Sequence, residues 1–512
     1  MPLPITDQAW PPPALDPIRA KQAEHAAWYS NQIDQLANHY TGAPSRRGGL
    51  VQRVARWFWS SGTDLTQPER KLHVPVASDL CQASSDLLFS EPPSFTVEDE
   101  KSQERLDEII DDVAHQVLAS SAEVNAALGD VYLRATWDKS VVPDRPFLAK
   151  IDADMAYPEF TFGRLTAVTF WTVLSSNTNG LVTRHLERHE TNAEGIGIVE
   201  HGLYQGTKDQ LGKRIPLTEH PATRNLPVDG DSVISTLSPG LDVVHIPNVQ
   251  PNRMFRQHPI GVNLGRSDLD GIEPTLDALD EAYSSLMRDI RLGKSMLVVP
   301  EAMLTSNGPG NGASWNQAEV FTGIKAPPSA QADQRMQIEQ VQFAIRIEEH
   351  ERAIMLLWNT IVRSAGYSAQ TFGEGGDVQI TATEVASKER RSYLTRDRKI
   401  RSFKPALTAL CEKLLAIDAA VFNSGAKPLP VDVAFADGVQ DDPEALARTA
   451  QHLANSLSAS IETRVRLQHK DWDETAIMQE VAKIRAENQL PALADPDTLG
   501  EDGEGLGDSF PS

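Results

Sequence analysis

Apolar positions recur at helical spacing in the C-terminal half of the chain and in short alternating runs in the N-terminal half. After Gly265, the residues Ile272, Leu276, Leu279, Tyr283, Leu286 and Ile290 follow at intervals of 4, 3, 4, 3 and 4. That spacing predicts a helix packed on neighbouring helices, and Ser267 is placed to cap it. Residues 296–299 (MLVV) read as a strand and 305–314 (TSNGPGNGAS) as a loop. Residues 319–325 (EVFTGIK) read as a second strand closed by Pro327 and Pro328, giving a small hairpin-like β module. A second helix is predicted from about Gln331 to Ala365, with Ile347, Ile354, Leu357 and Ile361 as its apolar stripe and Gly366 as its stop. At 1.5 Å per residue it would span ~50 Å.

Residues 366–380 (GYSAQTFGEGGDVQI) are glycine-rich and mobile by composition. Thr381 and Glu384 form a capping-box pattern that opens a third long helix. Its seam is Ile400, Phe403, Leu407, Leu410, Leu414, Ile417 and Val421, and Pro405 is expected to kink or restart it. Residues 431–435 suit a strand, and 443–490 suit two or three short helices. Residues 491–512 hold six acidic residues and no basic one, which predicts a disordered tail.

The N-terminal half has another texture. Residues 1–20 are proline-rich and read as an extended arm. Residues 20–40 suit a helix with Trp28, Tyr29, Ile33 and Leu36 as its buried stripe. Helices are also predicted over 77–89, stopped by Pro92 and Pro93, and over 103–128. From about 131 to 250, VYLRATW, LTAVTFWTV and DVVHIPNV are β-rich runs separated by Gly, Asn and Pro. Residues 20–265 therefore read as one α+β body.

Composition narrows the function. A chain of 512 residues, 40% hydrophobic and 23% charged, can bury real cores and has the length of about three domains. Its 48 basic residues against 71 acidic ones give a formal net charge of -23. A whole-chain basic footprint for gripping phosphate is excluded, though DNA handled without being gripped is not. Cys81 and Cys411 are the two cysteines, so neither a disulfide scaffold nor a multi-cysteine zinc module is expected. No run of ~18 apolar residues predicts a membrane span. The opening MPLPITDQAW lacks the pattern of a secretory signal, so a reducing intracellular compartment is the expectation.

Signatures of catalysis are weak. GTKDQLGKR at 206–214 has one residue too many for a phosphate loop, and Arg214 stands where Ser or Thr should hold magnesium; it reads as a turn. Gly195-Ile196-Gly197 lacks the third glycine of a dinucleotide fingerprint. His185 and His189 in RHLERHE lack a metalloprotease glutamate and read as ordinary surface histidines on one strand face. Arg46, Arg47, Arg53 and Arg56 beside Trp57, Phe58 and Trp59 read as a helix with a packed aromatic end. Between Lys388 and Lys404 stand eight basic residues and two acidic ones. At 100° per residue they point almost all round a helix, which suits pairing with acidic neighbours, on another subunit if need be, better than a DNA groove.

The order of parts and four local texts carry a resemblance. HVPVASDLCQASSDLLFSEPPSF at 73–95, ERHETNAEGIGIVEHGLYQGTKDQLGKRIPL at 187–217, SDLDGIEPTLDALDEAYSSLMRDIRLGKSMLVVP at 267–300 and SIETRVRLQHKDWDETAIMQEVAKIRAE at 460–487 occur in order. Together they resemble the portal (head–tail connector) proteins of tailed bacteriophages, in the siphophage branch. The resemblance implies an α+β portal fold with wing, stem helices, clip and crown, assembling as a ring. Carried over, 1–266 would be the N-terminal arm and wing, 267–294 the first stem helix and 295–330 the clip. Residues 331–365 would be the second stem helix, 366–380 the tunnel loop, 381–430 the long wing helix, 431–490 the crown and 491–512 the acidic tail.

The family's role implies a non-enzymatic ring, usually of twelve copies, at one capsid vertex. Double-stranded DNA enters through it, driven by the terminase large subunit, and leaves through it later. Head–tail adaptors, major capsid protein and scaffolding protein are the other implied partners, with no cofactor, metal or membrane. The location implied is the virion, after assembly in the host cytoplasm. The implied channel residues are Gly373, Glu374, Gly375, Gly376, Asp377 and Gln379; the loop has no Lys or Arg, so steric contact and flexibility are expected there rather than phosphate tracking. Asn311, Trp315 and Asn316 would lie in the clip, and Leu276, Leu279, Tyr283, Ile354 and Leu357 would pack subunits in the stem. The competing readings are a phage hydrolase or motor component, and a minor capsid or scaffolding protein without a channel.

Overall fold

A computed structural model of the chain describes residues 3–4, 7–36, 72–177, 180–292, 296–300, 305–306, 313–314, 321–324, 339–341, 346–373, 382–435, 443–456, 458–469, 472 and 474–487. They fall into two compact units. Met1–Val378 with Lys388–Gly438 form the first, and Gln379–Ser387 with Val439–Ser512 the second.

The arm is no free tail. Leu3, Trp10, Leu15 and Ile18 are buried against Trp171, Leu186 and Tyr204 of a β-sheet and Leu211 of an adjoining turn. Helix α1 (Asp16–Tyr29) follows, with Trp28 1% exposed. It ends earlier than predicted: Asn31 takes φ 54°, and Ile33 is 40% exposed instead of buried. Helix α2 (Val76–Phe89) matches the expected span, and strand β1 (Ser94–Thr96) comes next. The helix predicted over 103–128 is two helices, α3 (Glu100–Ile109) and α4 (Asp112–Leu128). Asp111 divides them: its backbone is extended and its side chain accepts from the Ala114 N–H, an N-cap that starts a new helix.

Strands β2 (Asp130–Thr136), β3 (Phe147–Asp152), β4 (Ala156–Thr161), β5 (Arg164–Ser176), β6 (Val182–Thr191), β7 (Ile196–Gly206), β8 (Lys213–Ile215), β9 (Val233–Pro239) and β10 (Val243–Pro247) follow. One sheet runs β10-β2-β3, and a larger antiparallel one runs β4-β5-β6-β7-β8, with β9 also on β7. Helix α5 (Glu273–Leu292) ends the body. Ser267 does not cap it, because its hydroxyl accepts the Leu269 N–H in a turn ahead of the helix.

Strands β11 (Met296–Pro300), β12 (Thr305–Ser306), β13 (Ala313–Ser314), β14 (Phe321–Ile324) and β15 (Glu339–Val341) come next. The module is not a hairpin: β11 pairs β14 in parallel and β15 antiparallel. The stretch 305–314 is not all loop, since β12 and β13 pair antiparallel. Residues 339–341, expected to be helical, serve as a sheet edge, so helix α6 starts at Ile347 and runs to Ala365. A backbone paired with β11 cannot also make i to i−4 bonds.

Helix α7 (Ala382–Phe422) runs through Pro405 without restarting. Pro405 is exposed, so water can satisfy the carbonyl that its missing N–H leaves free. Strand β16 (Asp432–Ala434) pairs antiparallel with β1, joining both ends of the body. Besides the cluster under the arm, two larger cores fill the first unit. One joins α1, α2, α5 and α6; the other packs α3, α4 and β2 on Phe403, Leu407, Leu410 and Leu414 of α7. In the second unit, α8 (Pro443–Asn455) is followed by α9 (Ile461–Gln468) and α10 (Glu474–Glu487), with Val465, Ile477 and Val481 buried together. The acidic tail and the Arg46–Trp59 segment lie outside the described residues.

Candidate functional site

The paired helices α5 and α6 meet where the two apolar stripes were expected. Leu276 and Leu279 are 2% and 1% exposed, Ile354 is 9% exposed, and Tyr283 and Leu357 pack against the same core. Within one chain, then, these five residues pack the two helices on each other. Apolar side chains remain exposed on both: Met287 and Ile290 on α5, and Ile347, Met355 and Leu356 on α6, Leu356 at 70%.

Polar clamps hold α5 at three levels. Glu273 takes His25 at 2.8 Å and Lys21 at 2.5 Å. Burial alone would raise its pKa, but the His25 hydrogen bond and the Lys21 charge hold it at about 2. Asp280 accepts from His73 at 2.7 Å and from the Val74 N–H; burial outweighs both and raises it. Asp289 takes His350 of α6 at 2.9 Å, and that hydrogen bond lowers its pKa.

A buried knot fixes the two ends of the helix pair to each other. Lys399 of α7 donates to Asp268 and to Ser84 of α2, both at 2.5 Å, and to the Tyr367 hydroxyl at 3.1 Å. Tyr367 donates to Asp268 at 2.6 Å, and burial beside that carboxylate pushes the phenol well up. Asp268 precedes α5 and Tyr367 follows α6, so one ammonium group ties four segments. Sequence reasoning missed this knot. Lys399 is one of eight clustered basic residues, and nothing in the spacing marks it as one that turns inward.

The entry to the predicted tunnel loop is rigid. Gly366 ends α6 at φ 100°, the left-handed value glycine allows, and a Cβ there would stand 2.9 Å from Thr395 Oγ1. Thr395 donates to the Gly366 carbonyl at 2.6 Å, and Ser392 Oγ accepts from the Ser368 N–H at 2.9 Å. Phe372 packs edge-on against Trp358 and Tyr367. Gly373 closes this short turn at φ 78°. Glu374, Gly375, Gly376, Asp377 and Gln379 lie outside the described residues, as do Asn311, Trp315 and Asn316.

His185 and His189 are not surface residues. Both are buried on β6, on the face that also carries Glu187. His189 sits 2.9 Å from Asp242, His185 lies 3.1 Å from His201 with stacked rings, and Glu187 is paired with Arg134. Burial lowers His201 to about 4, while His189 is raised because Asp242 and Glu187 outweigh its burial. Ligand atoms of His185, Glu187 and His201 lie within 4.8 Å of one another, close enough to hold a metal. The Arg134 guanidinium already neutralises the carboxylate, and a cation there would face it directly. The second such group, His25, Asp270 and Glu273, already holds Lys21. GTKDQLGKR is the β7–β8 turn, where Arg214 donates to the His201 carbonyl at 3.0 Å.

In the Lys388–Lys404 segment, Lys399 pairs with Asp268 and Lys404 with Asp432. Its inward residues are Lys399 and Arg396, the latter donating to the Leu87 carbonyl; Arg390, Arg391, Arg398, Arg401 and Lys404 are exposed. Among the described residues no helix is long and apolar enough to cross a membrane.

An α+β body with a helix pair that brackets a small β module defines the structural class of the molecule. The chain belongs to the family described as "Phage portal protein, SPP1 Gp6-like", whose pattern it matches over residues 26–490. This is a structural family of virion components. No curated protein matches the chain. Among solved structures, the neck of a native GTA particle computed with C12 symmetry is 13% identical with a TM-score of 0.36, covering 77% of this chain and 89% of its own. The neck of an empty GTA particle computed with C6 symmetry is 14% identical with a TM-score of 0.33, covering 77% and 90%.

Proposed function

We propose that copies of this chain close into the ring-shaped channel at one capsid vertex, through which double-stranded DNA is packaged and later ejected. Twelve copies is the number proposed. Helices α5 and α6 are the stem, β11–β15 the clip that meets the terminase large subunit and then the head–tail adaptors, and 366–380 the tunnel loop. The second unit is the crown. Major capsid and scaffolding proteins are the proposed neighbours at the vertex, and the ring itself has no catalytic turnover.

The observation that carries this reading is the α5–α6 pair. It shares one core, is fixed at its base by the Lys399 knot, and keeps Met287, Ile290, Ile347, Met355 and Leu356 exposed for neighbours. An isolated globule gains nothing from such a surface, whereas a ring member covers it twice. The net charge of -23 suits a channel that repels phosphate rather than binding it. Negative-stain electron microscopy of the purified chain tests the reading. Annular particles with an open centre are expected; globular monomers or closed shells overturn it. An ATPase assay separates it from a motor, with no turnover expected.

A further inference from the structure

The exposed basic residues of α7 share one face. With 3.6 residues per turn, Arg390, Arg391, Arg398, Arg401 and Lys404 fall within an arc of about 140°, because Arg396 and Lys399 turn into the body. Arg253 and Arg266 extend this patch from a neighbouring loop: burial and the Arg253 and Arg398 charges push Arg266 below its ordinary value. Near the centre of the arc stands Leu394, 50% exposed. Lys404 is paired with Asp432, and Asp397 lies on the same face.

Helix α3 carries the opposite surface. Glu100, Glu104, Asp107 and Glu108 are exposed within an arc of about 100°, flanked by exposed Glu98 and Asp112. Beside Asp112 stands Val113, 63% exposed. Arg105 of α3 is bonded to Asp418 near the far end of α7, at 2.7 and 3.0 Å. The acidic face therefore sits 14 to 28 residues along α7 from the basic one, about 20 to 40 Å at 1.5 Å per residue. That exceeds the ~8 Å screening length at physiological salt, so the two faces do not neutralise each other within one chain.

We propose that the arginine face of α7 on one copy docks the acidic face of α3 on the next copy. This rests on the ring reading and deepens it: opposite charges at two ends of one element make a head-to-tail contact, the kind that closes rings. An exposed apolar residue within the arginine face, Leu394, and another beside the acidic face, Val113, fit a protein partner rather than a purely ionic one. A phosphate backbone has no use for an exposed leucine or for Asp397.

The test uses the full chain, with ring fraction read by analytical ultracentrifugation and negative-stain microscopy. R390E/R391E/R398E/R401E and, separately, E100K/E104K/D107K are expected to lower the ring fraction at least tenfold. The chain carrying both sets is expected to recover it. Every changed residue is exposed, and melting curves confirm that the variants fold. As a variant-free measurement, the wild-type ring fraction is expected to fall between 0.1 and 1 M NaCl. If the wild type forms no rings, the ring reading itself fails. If it forms rings that neither salt nor either charge set disturbs, or that the combined set does not restore, the docking contact is wrong. Intact rings in the arginine variant with lost retention of a 30-base-pair DNA duplex would reassign the face to nucleic acid.

Discussion

The helix pair and the β body around β6 are stabilised by different means. Helices α5 and α6 meet along an apolar seam, with charged groups confined to clamps at their edges. Strand β6 instead buries Arg184, His185, Arg188 and His189, each needing a partner from another strand or loop. Arg184 donates to the Lys208 and Gln210 carbonyls, and Arg188 is paired with Glu159 and Glu190. A seam tolerates small shifts because dispersion and hydrophobic burial are non-directional. A buried polar strand does not, because every group left unpaired carries its full desolvation cost.

Breaking the polar knot beneath the helix pair is expected to have the largest effect. Asp268→Ala leaves Lys399 buried without its carboxylate and should cost about 3–5 kcal/mol, read by chemical denaturation. The double variant Asp268→Asn/Lys399→Met, which removes both charges, should cost less. Equal losses would mean that packing rather than charge governs the site.

The seam comes next. Leu279→Ala should cost about 2–5 kcal/mol. Leu279→Asp, which buries an unpaired charge at a 1% exposed position, should also abolish ring assembly. An unchanged melting temperature and intact rings would count against the seam.

Acid titration should separate the two regions. His201, at about 4, stays neutral in the fold while the unfolded chain protonates near 6.5. The β body should therefore lose about 3 kcal/mol as pH falls from 6.5 to 4. Glu273, at about 2, is ionised in the fold while the unfolded group protonates near 4.5. Its contribution is present above pH 4.5 and is lost between 4.5 and 2, again about 3 kcal/mol. His201→Phe should flatten the first window and Glu273→Gln the second, each followed by denaturation at stepped pH. A single loss with one common midpoint for both variants would erase the distinction.

The smallest effect on stability is expected from deleting Gly373–Gly376, beyond the point where Phe372 and Ser392 anchor the chain. Melting and ring assembly should be unaltered while DNA packaging falls. Loss of rings would show that the segment is structural.

Much of the helical half was legible from period alone. Leu276, Leu279, Tyr283, Ile354 and Leu357 stand in one core because two stripes at helical spacing must face something apolar. Gly366 and Asp111 show how far local chemistry reaches. The glycine stop is visible in the sequence, and the Asp111 cap was there to be seen inside a stretch whose continuous periodicity hid it. The strand at Glu339–Val341 was not legible, since its partner β11 lies some forty residues earlier and pairing between distant segments leaves no local period.

By itself, then, the sequence determined the α+β class, the helix–β–helix order, the seam and the acidic balance, because spacing and composition act locally and additively. Only the tertiary structure decided which of the described basic residues of α7 go inside and which share a face. It also decided that His185 and His189 are buried, and that one lysine ties four segments together. A charged group can be buried only where distant parts of the chain supply its partners, and that supply depends on how the chain folds back on itself.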